Sequence, residues 1–422
     1  MSILRGSILR VSIKRASTAS VSVGMGSLNL GSGLVSLLPR RRRPGFSFVS
    51  AIPLSFISNV LCLGIFMGTL MPAKVFSQTR ATLQSLDLES EQPASLTVCT
   101  QNLKMYGKFA DVRGKLGNLS AGEFREKEEA IARRILSAGC DVVAVQEVIA
   151  STDVKAAEVL KALAKVFKET TGRYFDTRVG VSNDEGMRNG FLVARDRASI
   201  DNVVSYQQVE LPKLSADQKP RFFGRAPIEI QIQVKPQGET PRRVISLVNF
   251  HFKSRAGGAE DPTGLEWETY RMEMAEGLRR VIEERHKQSF QSGHIILMVL
   301  GDRNSDSDSA TAKILDGTLK LSDFQTGGAC RLSKRGVPLC KAGVSSQAIL
   351  LSPLLLDPET SLLHGTFKQK KQLYWLDDIL LPAAALAFAH GSLKDEGDYD
   401  TGVISEPAEA SDHALAYVKM RW

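Results

Sequence analysis

Polar residues with the chemistry to bind a metal ion and a phosphate follow an apolar run in the last third of the chain. The run Ile295–Leu300 has no polar break and stops at Gly301, which is typical of a buried strand. Asp302 and Asn304 come directly after it. A carboxylate and an amide two residues apart at a strand end suit a divalent cation and a phosphate group.

The same succession of apolar strand and polar residue recurs elsewhere. The candidates are Asn102 after residues 95–99, Glu147 after 141–145, His251 after 244–250, Asp377 within 373–381, and Asp412 with His413 before 414–418. Arg225 precedes the alternating strand 228–234, and a guanidinium is a natural bidentate clamp for phosphate. Each residue alone is compatible with a turn, a solvated charge or a hydrogen-bonding histidine, so the signal lies in their ordered combination.

Amphipathic helices alternate with these strands. Ser120 and Glu123 form a capping box that begins one helix, Val154–Phe167 has an apolar face, and Gly264–Glu284 is a long helix before the strand at Ile295. Alternation of strands and helices predicts an α/β fold.

The positive charge of the chain lies in its first part. The 422 residues have a formal net charge of +8, but ten Lys or Arg and no acid precede Asp87, and residues 87–422 hold 44 basic and 46 acidic side chains. The basic excess therefore indicates targeting and does not by itself indicate nucleic acid. Residues 1–93 are predicted to be a largely disordered leader, and residues 94–422 a single domain.

A charge-free, largely apolar stretch, Phe46–Met71, follows the basic run at residues 40–43. This order is typical of an export signal to the periplasm or the extracellular space. A membrane anchor over residues 46–72 and a buried core helix are the alternatives. Any contact with a membrane is expected only through this segment.

The five cysteines include no zinc-binding pattern. Cys99 and Cys140 lie in or beside apolar strand patterns and are predicted to be buried thiols. Cys330 and Cys340 flank a polar loop, where a disulfide and two free thiols are both compatible with the sequence.

Together the motifs resemble the endonuclease/exonuclease/phosphatase superfamily of the DNase I type, with exported bacterial nucleases closest in pattern. The resemblance covers about residues 95–422 and rests on QNL at Asn102, QE at Glu147, NFHF at His251, GDRN at Asp302, LDDI at Asp377 and SDH at His413. Two positions depart from it, since Arg303 replaces a more often apolar residue and Asp378 a more often aromatic one.

The resemblance implies a four-layered α/β sandwich, in which two facing mixed β-sheets are flanked by helices. It implies Mg²⁺ or Mn²⁺ held by Glu147 with Asn102 and Asp412 close by, with Ca²⁺ as a supporting ion. His413, oriented by Asp377, would be the general base. Asp302 and Asn304 would orient water and phosphate. His251 would hydrogen-bond the phosphate or assist the leaving group, and Arg225 would hold a phosphate oxygen.

The predicted function is an exported, metal-dependent nuclease that hydrolyses DNA or RNA. Basic residues at Lys253, Arg255, Lys368, Lys370 and Lys371 favour nucleic acid. Hydrolysis of a phospholipid, as by a sphingomyelinase, or of another small phosphoester is the alternative, and a non-catalytic binding protein would require lost motif residues. No feature of the sequence requires an obligate protein partner.

Overall fold

The structure, a computed structural model, describes residues 94–214, 219–236, 242–257, 264–292, 295–320, 348–363, 365–369, 371–390 and 398–422, and the backbone alone of 330–332 and 338–340. The predicted leader, residues 1–93, lies outside the described residues, and so do Cys62 and Lys370. Among the helices that are described, none is long and apolar enough to cross a membrane.

The described residues form sixteen strands and nine α-helices. The strands are β1 Ser95–Gly107, β2 Val142–Ile149, β3 Phe175–Val179, β4 Met187–Ala194, β5 Ala198–Ser205, β6 Ile228–Val234, β7 Arg243–His251, β8 Ile296–Asp302, β9 Cys330–Leu332, β10 Pro338–Cys340, β11 Leu350–Leu351, β12 Phe367–Gln369, β13 Gln372–Tyr374, β14 Asp377–Pro382, β15 Thr401–Ile404 and β16 Leu415–Arg421. The helices are α1 Phe109–Val112, α2 Ala121–Ser137, α3 Asp153–Thr171, α4 Glu268–Arg285, α5 Lys287–Ser292, α6 Ala310–Asp316, α7 Pro353–Leu356, α8 Pro358–Ser361 and α9 Ala383–Leu386.

Two mixed six-stranded sheets form the centre of the domain. The first sheet has the order β15-β16-β1-β2-β4-β3, and the second has the order β11-β14-β8-β7-β6-β5. Within each sheet one central pair is parallel, β1 with β2 and β7 with β8, while the other pairs are antiparallel. Parallel partners bring their carboxyl ends to the same edge, which is where the polar residues of the motifs stand.

Apolar side chains on both faces of each sheet make four layers. One cluster lies between the sheets and includes Val98 of the first and Ile230 and Met298 of the second. A second cluster packs the first sheet against α2 and α3, and a third packs the second sheet against α4 and α6. The predicted four-layered sandwich of two facing sheets flanked by helices is therefore confirmed.

Several predicted elements differ at their ends. The capping box is present, since Ser120 Oγ accepts from the Glu123 amide and Glu123 accepts from the Ser120 amide. The helix predicted from Gly264 begins at Glu268 instead, and Gly264 has φ +67°. Positive φ is compatible with a turn and not with a helix, so the apolar periodicity placed this start four residues early.

The prediction of free thiols at Cys99 and Cys140 is wrong, because these two residues form a disulfide with their Cα atoms 6.0 Å apart. Both cysteines are fully buried, Cys99 in β1 and Cys140 just before β2. Sequence spacing could not reveal the bond, since 41 residues separate the two. The backbone of β9 and β10 pairs Cys330 with Cys340, while their side chains lie outside what is described.

Candidate active site

Two strands of the first sheet are irregular at the point where they carry site residues. The pairing of β1 with β2 shifts register between Asn102 and Tyr106, and the pairing of β2 with β4 shifts between Val145 and Val148. Glu147 lies in the second irregularity with φ +62°. A bulge re-aims side chains at the end of a strand, and here it turns Glu147 toward Asn102.

Backbone conformations that L-residues seldom adopt are concentrated here. Among the described non-glycine residues, five have positive φ, and four of them are Lys104, Met105, Glu147 and Asn304. Such conformations cost about 1–3 kcal/mol each and persist only where the surroundings impose them. Their clustering around one cleft is typical of a functional site.

Asn102 joins the two sheets at the centre of the site. Its Nδ2 donates to Glu147 Oε1 at 3.2 Å and to Asp302 Oδ2 at 3.0 Å, and its Oδ1 accepts from the Lys104 amide at 2.9 Å. Glu147 Oε2 in turn accepts from the Met105 amide at 2.8 Å. Side chains from β1, β2 and β8 therefore meet in one hydrogen-bonded group.

His413 and Asp377 form a buried acid–base pair. His413 Nδ1 lies 2.8 Å from Asp377 Oδ2, which also accepts from the Thr366 hydroxyl at 2.7 Å. His413 Nε2 lies 3.9 Å from Asp302 Oδ2, and the ring packs on Phe367 with centroids 4.6 Å apart. Because Nδ1 is bonded to Asp377, the Nε2 face of the imidazole is the one left for a reacting group.

The charges of this group favour a protonated histidine. Burial lowers the pKa of His413, but the carboxylates of Asp377 and Asp302 outweigh burial and raise that pKa to about 10. Burial also raises the pKa of the Asp302 carboxyl, and the neighbouring Asp377 adds to this effect. In the protein without metal, His413 therefore carries a proton at neutral pH.

His251 is held as a neutral ring. Arg225 Nη1 lies 2.6 Å from His251 Nε2 and donates to the Phe252 carbonyl at 3.2 Å. A guanidinium can only donate, so Nε2 accepts and the ring proton sits on Nδ1. Burial and the charge of Arg225 lower the pKa of His251 well below its ordinary value, in agreement with this assignment.

Asn304 closes the second side of the site. Its backbone amide donates to Asp302 Oδ1 at 2.8 Å, while its side-chain Nδ2 lies 3.2 Å from both Asp302 Oδ2 and the Phe252 carbonyl. The neighbouring Gly301 has φ +145°, and a Cβ there would lie 2.0 Å from the Phe250 carbonyl. Only glycine permits β7 and β8 to approach so closely next to the site.

These groups open into a cleft of about 530 Å³. Glu147, Arg225, Asn304, Asp412 and His413 line it directly, whereas Asn102, His251, Asp302 and Asp377 stand behind them. The rest of the wall includes three further cations and apolar side chains, namely Lys104, Lys115, Arg255, Met105, Leu116, Met187, Phe367 and Leu376. The site can therefore accept an anionic ligand with an apolar part.

Buried cations of α2 hold the segment that carries His413. Arg134 Nη1 donates to the His413 carbonyl at 2.7 Å, and Arg134 Nη2 donates to the carbonyls of Ser405 and Pro407. Lys127 Nζ donates to the Ala410 carbonyl at 2.8 Å, and burial lowers the pKa of Lys127 to about 8. Charge-assisted bonds of this kind fix the backbone before β16.

The structure brings eight of the nine predicted residues into mutual contact through hydrogen bonds or near approaches. Asp412 instead pairs with Lys104 at 3.7 Å on the rim of the cleft, where both side chains are nearly half exposed. The sequence motifs gave no indication of Thr366 and Lys104, or of Lys127 and Arg134 in α2. Thr366 stands in a segment without periodicity, and a buried arginine within an amphipathic helix has the same signature as an exposed one.

The oxygen atoms of the site fit a hard divalent cation. Ligand atoms of Asp302, Asp377 and His413 lie within 4.8 Å of one another, and Asp377 Oδ1 is buried with no hydrogen-bond partner among the described residues. Glu147 adds a carboxylate at the cleft wall. Asn102 offers its amide nitrogen to both carboxylates, so the side chain would have to turn before its oxygen could bind a metal.

Comparison with known proteins gave matches among solved structures alone, since no family model and no curated protein matches the chain. The human Nocturnin catalytic domain, with bound sulfate, shares 15% identity over 77% of this chain and 93% of its own, with a TM-score of 0.43. Endonuclease/exonuclease/phosphatase family proteins are also similar. The one from Bacteroides thetaiotaomicron shares 16% identity over 78% of this chain and 98% of its own, with a TM-score of 0.42. The one from Leptotrichia buccalis shares 14% identity over 78% of this chain and 100% of its own, with a TM-score of 0.44.

Two of these neighbours have the family name that the motifs predicted. Identities of 14–16% and TM-scores below 0.5 carry no argument about activity.

Proposed function

We propose that this chain is a metal-dependent phosphodiesterase of the endonuclease/exonuclease/phosphatase type, and that its substrate is a nucleic acid. The observation that carries the proposal is the meeting of the Asp377–His413 pair, Asp302 and Glu147 at one cleft. These residues come from β14, the segment before β16, β8 and β2, so both sheets contribute. Carboxylates and an oriented imidazole beside a cationic wall suit hydrolysis of a phosphate ester.

In the proposed reaction His413 exchanges a proton at Nε2 while Asp377 holds its Nδ1. Asp302 and Asn304 orient the attacking water and a phosphate oxygen beside it. His251 accepts from Arg225 and so orients this guanidinium, which lines the cleft and would donate to the phosphate. A Mg²⁺ or Mn²⁺ ion held by Glu147, with Asp302 or a turned Asn102, would stabilise negative charge on the phosphate.

The proton on His413 bears on its role. A general base must be deprotonated, whereas a pKa of about 10 keeps the free protein's imidazole charged at neutral pH. Positive charge in the cleft lowers the pKa of a neighbouring imidazole. We therefore expect His413 to become a base only in the loaded site, and to act before that as a donor toward phosphate.

Cations of the cleft support nucleic acid as the substrate. Lys104, Lys115 and Arg255 line the same cleft as the acid–base group, and Arg255 stacks on the Tyr374 ring at 4.2 Å. Phosphate backbones are held by such cations, and binding weakens as salt rises. Of the other predicted basic residues, Lys253 lies 4.8 Å over the Trp267 ring, while Lys368 and Lys371 are exposed.

One observation favours phospholipid hydrolysis as a second candidate. Leu362 and Leu363, 68% and 48% exposed, come shortly before Thr366 and Phe367 at the site, and Leu373 is 41% exposed in the following hairpin. Exposed apolar groups beside a cleft are typical of contact with lipid. The sequence had shown no such loop outside the leader.

Export remains part of the proposal. The Cys99–Cys140 disulfide supports it, because structural disulfides persist mainly in oxidising compartments. The basic and apolar leader supports it as well.

A substrate panel tests the proposal. The purified full chain should degrade plasmid DNA or single-stranded RNA with Mg²⁺, and EDTA should stop the reaction. Glu147→Gln and Asp302→Asn should each lower the rate by about 10²–10⁴-fold. Glu158→Gln is the matched control, since this carboxylate is exposed and pairs only with Lys108 among the described residues.

The outcomes separate the candidates. Release of phosphocholine from sphingomyelin vesicles, with both nucleic acids intact, would select the second candidate. No hydrolysis of any phosphodiester, with Mg²⁺ or Mn²⁺ present, would refute the proposed function.

A further inference from the structure

A buried ion pair lies directly behind the catalytic strand ends. Arg303 Nη1 lies 2.6 Å from Asp378 Oδ2, and both side chains are 2% exposed. The second Asp378 oxygen accepts from the Ser352 hydroxyl at 2.6 Å and from the Ile379 amide at 2.9 Å. These are the two positions at which the sequence departs from the superfamily pattern, and the structure shows that they are each other's partner.

The pair uses the whole guanidinium. Besides Asp378, Arg303 Nη2 donates to the Trp375 carbonyl at 2.8 Å and Nε donates to the Ser305 carbonyl at 2.9 Å. The Arg303 backbone amide donates to the Leu376 carbonyl at 2.9 Å. One side chain therefore ties the loop after β8 to the segment that enters β14.

Strand register places the pair on the opposite face of the sheet from the reacting groups. Asp302 and Asp377 are Cα partners in the antiparallel pairing of β8 with β14. Asp378 follows Asp377 in β14, and Arg303 directly follows Asp302 at the end of β8. Consecutive residues of an extended chain point to opposite faces, and Arg303 and Asp378 both line a cavity other than the cleft. A slip of either strand by one residue would turn the carboxylate of that strand out of the site.

We propose that the Arg303–Asp378 ion pair is a positioning device that fixes the separation of Asp302 and Asp377, and through Asp377 the orientation of His413. A planar guanidinium with three bonded nitrogens defines one geometry, which an apolar contact between the same strands would not. The pair touches no reacting atom. Its effect on activity rests on the proposed function, whereas its effect on strand geometry does not.

A double variant separates positioning from stability. Removing one charge leaves the other buried and unpaired, so Arg303→Met and Asp378→Leu alone should both lower the unfolding temperature strongly. Arg303→Met combined with Asp378→Leu replaces the pair by apolar groups, and a cavity of about 150 Å³ that both residues line gives them room. This double variant should be more stable than either single variant, although the carbonyls of Trp375 and Ser305 lose a donor.

Two readouts then test the position of the strand ends. Measured at a temperature at which both proteins are fully folded, kcat of the double variant should be about 10–100-fold below wild type with KM changed less than threefold, since misplacement of about 1 Å has effects of this size. Amide hydrogen exchange should be faster in peptides covering residues 296–305 and 373–381. Arg303→Lys keeps the positive charge but loses the planar guanidinium and its three separate donors. It should fall between wild type and the double variant in both measurements.

Arg279→Met is the matched control. Arg279 is equally buried and donates to the carbonyls of Ile314, Leu315 and Ala348, away from the catalytic strand ends. It should lower the unfolding temperature and leave kcat unchanged.

A double variant with native kcat and native exchange would overturn the inference. If the wild type cleaves no phosphodiester, the proposed function fails, and the exchange measurement alone decides whether the pair positions the strands.

Discussion

The Cys99–Cys140 disulfide offers the most direct test of how this domain is stabilised. The bond closes a chain segment with a sequence separation of 41 residues. Loop-closure entropy for that length corresponds to about 4 kcal/mol of stabilisation at 25 °C through the unfolded state. Because natural domains are stable by about 5–15 kcal/mol, one bond supplies a large part of the total.

The expected result is a lower denaturant midpoint after reduction. Both sulfurs are fully buried, so the protein should be unfolded and refolded in reductant before the midpoint is measured. Refolded and reduced, the wild type should lose about 3–4 kcal/mol of unfolding free energy, with an unfolding temperature about 5 °C lower. The Cys99→Ala, Cys140→Ala double variant should have low stability with or without reductant.

A control separates this bond from the other cysteines. Cys330→Ser with Cys340→Ser leaves the buried bond intact, so its response to reductant should match that of the wild type. A loss of less than about 1 kcal/mol on reduction of the Cys330→Ser, Cys340→Ser protein would show that the Cys99–Cys140 bond does not stabilise the domain as expected.

Three further predictions concern the site and its surroundings. Asp377→Asn removes the charge that orients His413, and hydrolysis of the best substrate should fall by about 10²–10⁴-fold; full activity would exclude the pair from the mechanism. EDTA keeps the site free of metal, and in that state the pKa of His413 is raised to about 10. Its charged form therefore stabilises the fold fully below pH about 6.5, the pKa in the unfolded chain, and this stabilisation is lost as the pH rises through about 10. The stability difference between wild type and His413→Ala, from urea titrations, should therefore shrink as the pH rises from 6 to 10, and a constant difference would contradict the assignment. Burial raises the pKa of Glu229, but hydrogen bonds from His286 and Tyr206 outweigh burial, so the net effect lowers that pKa. The ionised carboxylate therefore stabilises the fold above pH about 4, and this stabilisation is lost in acid. Glu229→Gln should lower the free energy of unfolding, measured by urea titration, by about 1–3 kcal/mol at pH 7 and by less below pH 4. An equal loss at both pH values would show that the carboxylate charge is unimportant.

The sequence could predict which polar residues stand at strand ends because each motif is local. An apolar run that ends in Asp302 or Glu147 can be recognised within ten residues, and strand alternation with helices predicts the layers. Features that join distant segments could not be recognised in this way. Cys99 and Cys140 lie far apart in the chain, and the Arg303–Asp378 pair spans 75 residues. Both departures from the superfamily pattern were visible separately, but only register reveals that they face each other.

Asp412 makes a second contact that the sequence could not predict. The motif at residues 411–413 places it beside His413, which suggested a metal ligand next to Glu147. In the structure its carboxylate pairs with Lys104, whose φ of +50° belongs to the irregular part of β1. A backbone conformation of that kind has no signal in the residue type, so the direction of Lys104 and its effect on Asp412 could not be predicted.

Three cross-links explain how strained strand ends can hold one geometry. Cys99–Cys140 connects β1 to the entry of β2, Arg303–Asp378 connects β8 to β14, and Arg134 of α2 holds the carbonyl of His413. The disulfide joins the two strands that carry the positive-φ residues Lys104, Met105 and Glu147. Arg303 and Asp378 directly follow Asp302 and Asp377, and Arg134 holds His413 itself. Strained conformations persist only when their surroundings over-determine them, and the proposed hydrolysis would need the reacting groups placed within a fraction of an ångström. Stability and positioning therefore depend on the same links, so a variant that loosens one should lose activity before it unfolds.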